Sequence, residues 1–323
     1  MMDIYTQVIG EFSRIPHVKE WEEVQALFRR AAAGKPHHWL LPLRACEAVG
    51  GAWERAIPAV VAVACGHIGI VLVDDMLDAD PRGEHVKAGE GAAANMASAF
   101  QSAAVAAVAN CDLNPNTKLL AMESVNEMFL ATTIGQYWDV NSIVRDEDSY
   151  WKIARGKSSP FFGAAFQIGA WMGGASAETA GRVRELGQLY GEMIQIHDDV
   201  NDTLTIPAKP DWDEGRAPLP ILFARLVDHP MRRRFEELRP HVGNSSQVLE
   251  EAQEILIRCG AVSYCIHQLL KRYETVKGIL SGLALARGDV LEKVFDDVVQ
   301  PVFQLFREVD AAFIGRTLPA NTV

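Results

Sequence analysis

Residues 56–73 read AIPAVVAVACGHIGIVLV, a run without a charged residue that continues directly into Asp74 and Asp75. The run is about long enough to cross a bilayer. It nevertheless contains His67 and several small residues, and two aspartates follow it. Because helices that are hydrophobic on all sides are typical of the interior of large proteins, we interpret this stretch as a buried core helix and predict no membrane span.

Helical periodicity extends through most of the chain. Apolar residues recur at steps of three and four positions, whereas the alternation typical of strands is scarce. The clearest examples are residues 21–34, 116–140, 177–204 and 245–260. The longest irregular stretch is 205–220, and no change in composition marks a domain boundary. The sequence therefore predicts one all-α domain over residues 1–323, a single large helical bundle.

The overall composition limits the classes of partner. The net charge of −11 argues against nucleic acid, because phosphate backbones are bound by basic surfaces. The five cysteines form no pair with zinc-site or redox spacing, and the N-terminal residues lack the apolar segment of a signal peptide. We therefore expect a cytoplasmic protein with free thiols.

Three acidic residues close the core helix, with Asp74, Asp75 and Asp78 at positions i, i+1 and i+4. Each residue of a helix advances by about 100 degrees, so the three carboxylates share one side. The Cβ atoms of Asp74 and Asp78 lie roughly 6 Å apart. At an effective dielectric constant of about 20, two charges at this distance repel by about 3 kcal/mol. A bound cation would reverse the sign of that interaction.

A second triplet with the same spacing ends another helical segment, at Asp198, Asp199 and Asp202. Carboxylates suit Mg²⁺, which usually takes one or two of them together with water and phosphate oxygens. Two facing triplets therefore predict Mg²⁺ ions that hold a diphosphate and neutralise the charge of the leaving group. A calcium loop beginning at Asp78 fits poorly, because Gly89 stands where such a loop needs Glu.

Four further segments accompany the triplets, namely GQYWD at 135–139, GKSSPFF at 156–162, Gln195 before the second triplet, and KPDWDEGRAPLPI at 209–221. With these motifs the chain, from about Gly34 to Tyr273, resembles the trans-isoprenyl diphosphate synthases of the polyprenyl synthetase family. The departures from the family pattern include Ser158 for Thr, Arg216 for Lys and Pro218 for Thr.

The resemblance implies an all-α bundle around a deep central cavity. It also implies a homodimer that condenses an allylic diphosphate with isopentenyl diphosphate, using three Mg²⁺ ions. By motif position, the metal ions are assigned to Asp74, Asp75, Asp78, Asp198, Asp199 and Asp202. Lys157 and Lys209 are assigned to the allylic diphosphate, Gln195 to substrate binding, and Lys157 to the catalytic set as well. Lysines suit this role because they bring point charges to phosphate oxygens.

The predicted site for isopentenyl diphosphate is atypical. The family usually has GGKRxRP near the N-terminus, whereas this chain reads GKPHHWL at 34–40, with Lys35 kept and His38 in place of an arginine. After the first triplet the family usually has RRG, and this chain has PRG with Arg82 alone. His67 matches a family histidine in that pocket. The resemblance thus leaves Lys35, His38, His67 and Arg82 as candidate ligands.

Product length is usually gauged in this family by two positions a short distance before the first triplet, here Gly69 and Ile70, with Gly66 a turn earlier. The small residues Gly66 and Gly69 predict an open tunnel floor and a product of C20 or longer.

Two other functions stay open. A class I terpene cyclase would act on one allylic diphosphate without a co-substrate. The altered second site favours this reading, and the DDVND form of the second motif disfavours it. A non-catalytic partner subunit is disfavoured by two intact triplets, because such a subunit has no reason to keep metal ligands.

Overall fold

The computed structural model describes residues 3–209, Trp212 and 217–317, with side chains as far as Gln304. Within these residues the chain forms α-helices joined by turns and short 3₁₀ segments, and no β-strand. The predicted all-α class is therefore confirmed. Whether residues 1–323 form one domain stays a prediction.

The helices are, in chain order, α1 (Ile4–Phe12), α2 (Glu22–Ala33), α3 (Leu41–Ala48), α4 (Ile57–Leu77), α5 (Glu84–Ala88), α6 (Glu90–Ala109), α7 (Pro115–Asn141), α8 (Glu147–Lys157), α9 (Ser159–Gly173), α10 (Ala177–Leu204), α11 (Leu219–Leu226), α12 (Arg232–Leu238), α13 (Ser246–Arg258), α14 (Ala261–Ser281) and α15 (Gly288–Thr317). Pro301 lies inside α15.

The core helix expected over residues 56–73 is α4, which ends at Leu77 with Asp78 as its C-cap. Pro58 stands in its first turn, where a missing N–H costs no hydrogen bond. Helix α6 packs along α4. By length and composition alone, Trp53–Leu77 and α6 could each cross a membrane, but 72% of the apolar window of the first is buried inside the bundle. Core helices of soluble proteins pass the same test.

Helix α9 lies at the centre of the bundle and packs against α3, α7 and α10. Glycines allow these close approaches. A Cβ atom on Gly169 would lie 2.1 Å from the carbonyl oxygen of Pro42 in α3. One on Gly187 of α10 would lie 2.4 Å from the carbonyl oxygen of Phe162 in α9. The backbone of α9 is therefore in direct contact with α3 near its C-terminal end and with α10 near its start.

A smaller apolar cluster lies beneath α11, α12 and α13, around Trp212, Ile221 and Phe235. It adjoins the irregular stretch 205–220. Residues 210–211 and 213–216 of this stretch are outside the described residues, and the motif position Arg216 is among them.

Candidate active site

The ends of α4 and α10 meet at one cavity of about 340 Å³. Its polar lining consists of Asp74, Asp78, Asp139, Tyr150, Lys157, Ser158, Gln195, Asp198, Asp199 and Asp202. Apolar residues from α8, from the segment before α8 and from the segment before α11 complete the wall. The two triplets, far apart in the sequence, thus contribute five carboxylates to a single space.

Asp75 is the member of the triplets that is not among the lining residues. It lies towards the turn after α4, where a Cβ atom added to Gly83 would come within 2.9 Å of the Asp75 Cβ atom. Burial raises the pKa of Asp75, and the nearby charges of Asp80 and Asp74 raise it further. Asp75 lies about 100 degrees around the helix axis from Asp74, at the edge of the side that the three carboxylates were predicted to share.

Lys157 lies between the triplets, at the C-terminal end of α8. Its Nζ atom is 2.8 Å from Asp139 Oδ2 and 3.3 Å from Asp74 Oδ1. Burial works against the charged form, but the carboxylates of Asp139 and Asp74 outweigh it and raise the pKa of Lys157. The Gln136 Nε2 atom donates a hydrogen bond to Asp74 Oδ1. Lys157 is therefore a charged group held by Asp139 of the GQYWD segment and by Asp74, which Gln136 of the same segment positions.

Asp199 is 7% exposed and joins several helices. Its Oδ2 atom accepts hydrogen bonds from the Tyr150 hydroxyl at 2.7 Å and from the Leu219 backbone N–H at 2.7 Å. Its Oδ1 atom accepts one from Gln195 Nε2 at 2.8 Å, and Gln195 in turn accepts one from Ser158 at 2.6 Å. These bonds fix the second triplet relative to α8, α9 and α11.

The second triplet concentrates negative charge. The pKa of Asp198 is raised to about 6 by burial and by the charges of Asp202 and Asp199, against a smaller opposing effect of Lys157. Lys209 lies on the outer side of this triplet, with its Nζ atom 3.7 Å from Asp202 Oδ1. A cation placed in the cavity would relieve the repulsion among these carboxylates.

The carboxylates fit Mg²⁺ better as an open set than as a closed cage. Among the described side chains, no three His, Cys, Asp or Glu residues already converge tightly enough to hold a metal ion. Like charges without a cation separate, and Asp74 and Asp199 accept hydrogen bonds from the protein. Mg²⁺ needs only one or two carboxylates when water and phosphate oxygens supply the rest. The cavity has the oxygen ligands and the room for this arrangement.

The four candidate ligands for the second diphosphate are not among the residues lining the acidic cavity. Lys35 is largely exposed, with its Nζ atom 3.9 Å from Asp3 Oδ2. Arg82 donates to Asp80 at 2.7 Å and is also exposed. Both cations thus form ion pairs at the surface.

His38 and His67 form a neutral pair beside the aromatic residues Phe161 and Phe162. Their rings are 4.3 Å apart. Burial lowers the pKa of His38 to about 3, with a further contribution from His67, and burial lowers the pKa of His67 to about 4. Trp39 Nε1 donates to His67 Nδ1 at 3.2 Å, so neutral His67 carries its proton on Nε2. The Nε2 atom of His38 is buried without a hydrogen-bond partner.

A second cavity, of about 200 Å³, lies one helical turn before the first triplet. It is lined mainly by apolar groups of α4 and α7, including Gly69, Ile70 and Val73. Gln136 also lines it and, through its bond to Asp74, connects it with the acidic cavity. We name this space the tail cavity.

The sequence predicts that Gly66 leaves the tunnel floor open, but the structure has no open space beside this residue. It does not line the tail cavity, and a Cβ atom on it would lie 2.6 Å from Met128 Cε. The flexible Met128 side chain fills the space that the small residue leaves, which the sequence alone does not reveal.

Tyr150 is a site residue that the motifs did not indicate. It precedes Lys157 by two helical turns on α8 and binds Asp199 from the same helix face. The spacing of two helical turns from Lys157, together with the apolar character of the neighbouring Trp151, is the feature of the sequence that could have indicated Tyr150. Glu192 was missed as well, and its ion pairs with Arg155 and Arg272 at 2.9 and 2.8 Å tie α10 to α8 and α14.

Comparisons with known proteins agree with one another. A family model described as polyprenyl synthetase matches residues 23–256. The chain is 30% identical over 253 residues to the geranylgeranyl diphosphate synthase of Methanosarcina mazei, covering 72% of this chain and 75% of the relative. It is also 30% identical over 249 residues to the short chain isoprenyl diphosphate synthase of Methanothermobacter thermautotrophicus, with the same coverage of 72% and 75%.

Solved structures show the same fold. The geranylgeranyl pyrophosphate synthetase of Pyrococcus horikoshii superposes with a TM-score of 0.77 at 22% identity, covering 92% of this chain and 94% of that one. A decaprenyl diphosphate synthase from Rhodobacter capsulatus superposes with a TM-score of 0.77 at 20% identity, covering 93% and 95%.

Proposed function

Because this chain belongs to the polyprenyl synthetase family, it is a trans-prenyltransferase, and we propose that it condenses an allylic diphosphate with isopentenyl diphosphate. The observation that carries the proposal is the cavity into which α4 and α10 bring carboxylates from both triplets, with Lys157 between them. The product is a longer trans-prenyl diphosphate, and C20 or longer is the expected length.

In the proposed reaction, the bond between C1 and oxygen of the allylic diphosphate breaks, and the electron pair leaves with the diphosphate. The double bond of isopentenyl diphosphate then attacks C1, and loss of a proton forms the new double bond. Bound Mg²⁺ would supply the positive charge that stabilises the leaving diphosphate. Asp74, Asp78, Asp198, Asp199 and Asp202, which line the cavity, are proposed to hold the ions. Asp75 is proposed as a sixth ligand from its motif position.

Lys157 has the second role in this proposal. Its ammonium group is already charged and positioned by Asp139 and Asp74, so it can donate to a diphosphate oxygen without reorganisation. Gln195, held by Ser158, and Lys209, beside Asp202, are proposed to contact the same diphosphate from the side of α10. The tail cavity would receive the prenyl chain, since apolar pockets bury most of a ligand of this kind.

The second diphosphate is proposed to bind through Lys35, His38, His67 and Arg82. Lys35 and Arg82 are exposed and can leave their surface partners, because surface ion pairs are worth only about 0–1 kcal/mol. The histidines would donate hydrogen bonds in their neutral form. We further expect three Mg²⁺ ions, a homodimer and a cytoplasmic location.

The neutral histidine pair favours a second candidate, a class I terpene cyclase. A pocket with two neutral imidazoles offers a second diphosphate less charge than the arginines that the family usually has there. A cyclase would use the acidic cavity and the tail cavity without that pocket.

One experiment separates the candidates. The purified protein is supplied with Mg²⁺ and labelled farnesyl or geranylgeranyl diphosphate, with and without isopentenyl diphosphate. A longer diphosphate that forms only when both substrates are present supports the condensation. A hydrocarbon or alcohol that forms from the allylic substrate alone supports the cyclase, and no turnover in either condition contradicts both.

A further inference from the structure

A buried ion pair joins the helices that carry the second triplet and Lys157. The Arg272 Nε atom of α14 lies 2.8 Å from Glu192 Oε2 of α10, and the two residues are 7% and 8% exposed. The other carboxylate oxygen of Glu192 accepts a hydrogen bond from Arg155 Nε of α8 at 2.9 Å. None of these three residues is among those lining the acidic cavity. One carboxylate therefore connects three helices from outside the proposed site.

Arg272 is held by further contacts. Its Nη1 atom donates to Gln268 Oε1 at 2.8 Å, one turn earlier on α14. Its guanidinium group lies 3.8 Å from the centre of the Trp151 ring of α8, and Trp151 Nε1 donates to Glu147 at 2.9 Å. A planar guanidinium group can stack on a ring and donate from its edge at the same time, which a lysine ammonium group cannot do. Arg272 is therefore fixed between α8 and α10.

The same two helices are joined a second time inside the site. Tyr150 of α8 donates a hydrogen bond to Asp199 of α10, and Glu192 lies two helical turns before Asp199 on the same face of α10. On α8, Arg155 comes two positions before Lys157. The separation of α8 and α10 is thus set at two points, one in the acidic cavity and one outside it. A change at the outer point would also move Lys157 relative to the second triplet.

Repulsion within the site acts against this arrangement. The carboxylates that α4 and α10 bring into one cavity repel one another, which favours a wider cavity when no cation is bound. Lys157 of α8 opposes this on the side of α4 through its ion pair with Asp74. On the side of α10 the opposing contacts are those of Glu192 with Arg155 and Arg272. Together these ion pairs hold α4, α8 and α10 at one separation.

Stability alone does not account for a buried pair of this kind. The loss of hydration on burial can exceed the attraction between the two charges, and apolar residues of similar volume are often as stable. A buried pair does favour one arrangement over others, because separating its members leaves an unpaired charge in the interior. The pair of Arg272 and Glu192 is thus suited to fixing the position of α10.

We propose that Arg272 is a positioning residue for the metal site. Through Glu192 it holds α10 against α8, so that the second triplet stays at the distance from Lys157 at which one diphosphate with its Mg²⁺ ions fits between them. Without the guanidinium group α10 can move outward, and Mg²⁺ binding then has to draw it back. The inference deepens the proposed function and rests on it for the presence of a diphosphate.

The test uses Arg272→Met, which keeps a side chain of similar length and removes the charge. A double variant, Glu192→Leu with Arg272→Met, replaces the whole pair by apolar side chains and leaves no unpaired carboxylate. Arg272→Lys keeps the ion pair and tests rescue. The matched control is Lys277→Met on the same helix, because Lys277 forms an exposed ion pair with Glu274 at 3.1 Å.

Three measurements separate positioning from a purely structural role. Calorimetry gives the binding of an unreactive thiolodiphosphate analogue of geranylgeranyl diphosphate over a range of Mg²⁺ concentrations. Steady-state kinetics gives separate KM values for the allylic substrate and for isopentenyl diphosphate, and thermal unfolding gives the stability of each variant. A smaller fraction of folded protein would lower the apparent kcat and leave both KM values unchanged.

We expect Arg272→Met and the double variant to need about tenfold more Mg²⁺ for half-maximal binding and to have an allylic KM about tenfold higher, because displaced site residues contact the ligand poorly. Arg272→Lys should recover most of this loss, and Lys277→Met should match the wild type. The KM for isopentenyl diphosphate should not change, because its candidate ligands lie outside α8, α10 and α14, at Lys35, His38, His67 and Arg82.

A folded double variant with the Mg²⁺ dependence and KM values of the wild type overturns the inference, because the pair is then only structural. Equal increases in the two KM values also overturn it. If Arg272→Met does not fold, the double variant decides. A wild type that does not bind the analogue overturns both this inference and the proposed function, whereas a wild type that binds it with Mg²⁺ but elongates no primer contradicts the proposed function alone.

Discussion

Lys157 is the residue on which the polar half of the site depends. Its Nζ atom forms ion pairs with Asp139 and Asp74, and its side chain lines the acidic cavity. Lys157→Ala should lower kcat/KM for the allylic substrate by about 100-fold, because one preorganised donor to developing charge is worth that much. Steady-state kinetics with each substrate varied in turn measures the effect.

The control for that variant is Lys293→Ala, which removes only a surface pair with Asp297 on α15. Its kinetics should match those of the wild type. Equal activity of Lys157→Ala and Lys293→Ala would remove Lys157 from the catalytic set.

His38 gives the protein a specific dependence of stability on pH. Its pKa is lowered from 6.5 to about 3 by burial and by the neighbouring His67 and His37. The unfolded chain therefore binds a proton below pH 6.5 that the folded chain does not bind. Stability from this residue is fully present above pH 6.5 and is lost as the pH falls. Between pH 7 and pH 5 the loss attributable to His38 should be about 2 kcal/mol.

Denaturant unfolding of the wild type and His38→Asn at both pH values tests this prediction, because the difference between the two proteins cancels the contributions of the carboxylates. His241→Asn, on the surface, should lose as much stability as the wild type between these pH values. An equal loss in wild type and His38→Asn would show that His38 is protonated in the folded protein.

At the scale of helices, the crossing of α7 and α8 places Lys157. A Cβ atom on Gly135 would lie 2.0 Å from the carbonyl carbon of Gly156, so the two backbones touch. Gly135 stands one turn before Asp139, and Gly156 immediately precedes Lys157. The GQYWD and GKSSPFF segments therefore meet through their glycines, and the ion pair follows from the contact.

Gly135→Ala should push the two helices apart. We expect a loss of about 1–3 kcal/mol in the free energy of unfolding, the usual cost of overpacking. We also expect kcat/KM to fall by about 100-fold, because a displacement of about 1 Å at a catalytic group has this effect. Thermal unfolding and steady-state kinetics measure the two results.

Gly181→Ala on α10 is the control, because a Cβ atom there meets nothing within 4 Å. It should be neutral or more stable by up to about 1 kcal/mol, since Ala has the higher helix propensity. A Gly135→Ala protein as stable and as active as Gly181→Ala would contradict the proposed role of the crossing.

The sequence predicted the helices correctly where the pattern that indicates them lies within a short stretch of the chain. The uncharged run before Asp74 identified α4, and the spacing of the aspartates identified the ends of two helices. The direction in which each side chain points could not be predicted from these local patterns. The placement of Asp75 outside the cavity lining and the filling of the space beside Gly66 by Met128 both depend on packing against other helices.

At the scale of the whole molecule, the convergence of the two triplets is the feature that no local pattern contains. The family resemblance predicted it, and the packing of both α4 and α10 against α9 brings the two helices together. The surface partners of Lys35 and Arg82 could not be predicted, because flexible side chains choose among nearby charges by small energy differences. The residue Tyr150 was missed for a related reason, since its bond to Asp199 joins positions far apart in the chain.

The central claim is that both triplets share Mg²⁺ around one diphosphate. Its most direct test is calorimetric binding of an unreactive thiolodiphosphate analogue of geranylgeranyl diphosphate, with Mg²⁺ and with a chelator. The proteins are the wild type, Asp74→Asn, Asp198→Asn and the surface control Asp289→Asn. We predict that binding by the wild type and Asp289→Asn requires Mg²⁺, and that Asp74→Asn and Asp198→Asn each bind at least tenfold more weakly. Affinity that does not change with the chelator, or that falls in only one of the two variants Asp74→Asn and Asp198→Asn, would contradict the account.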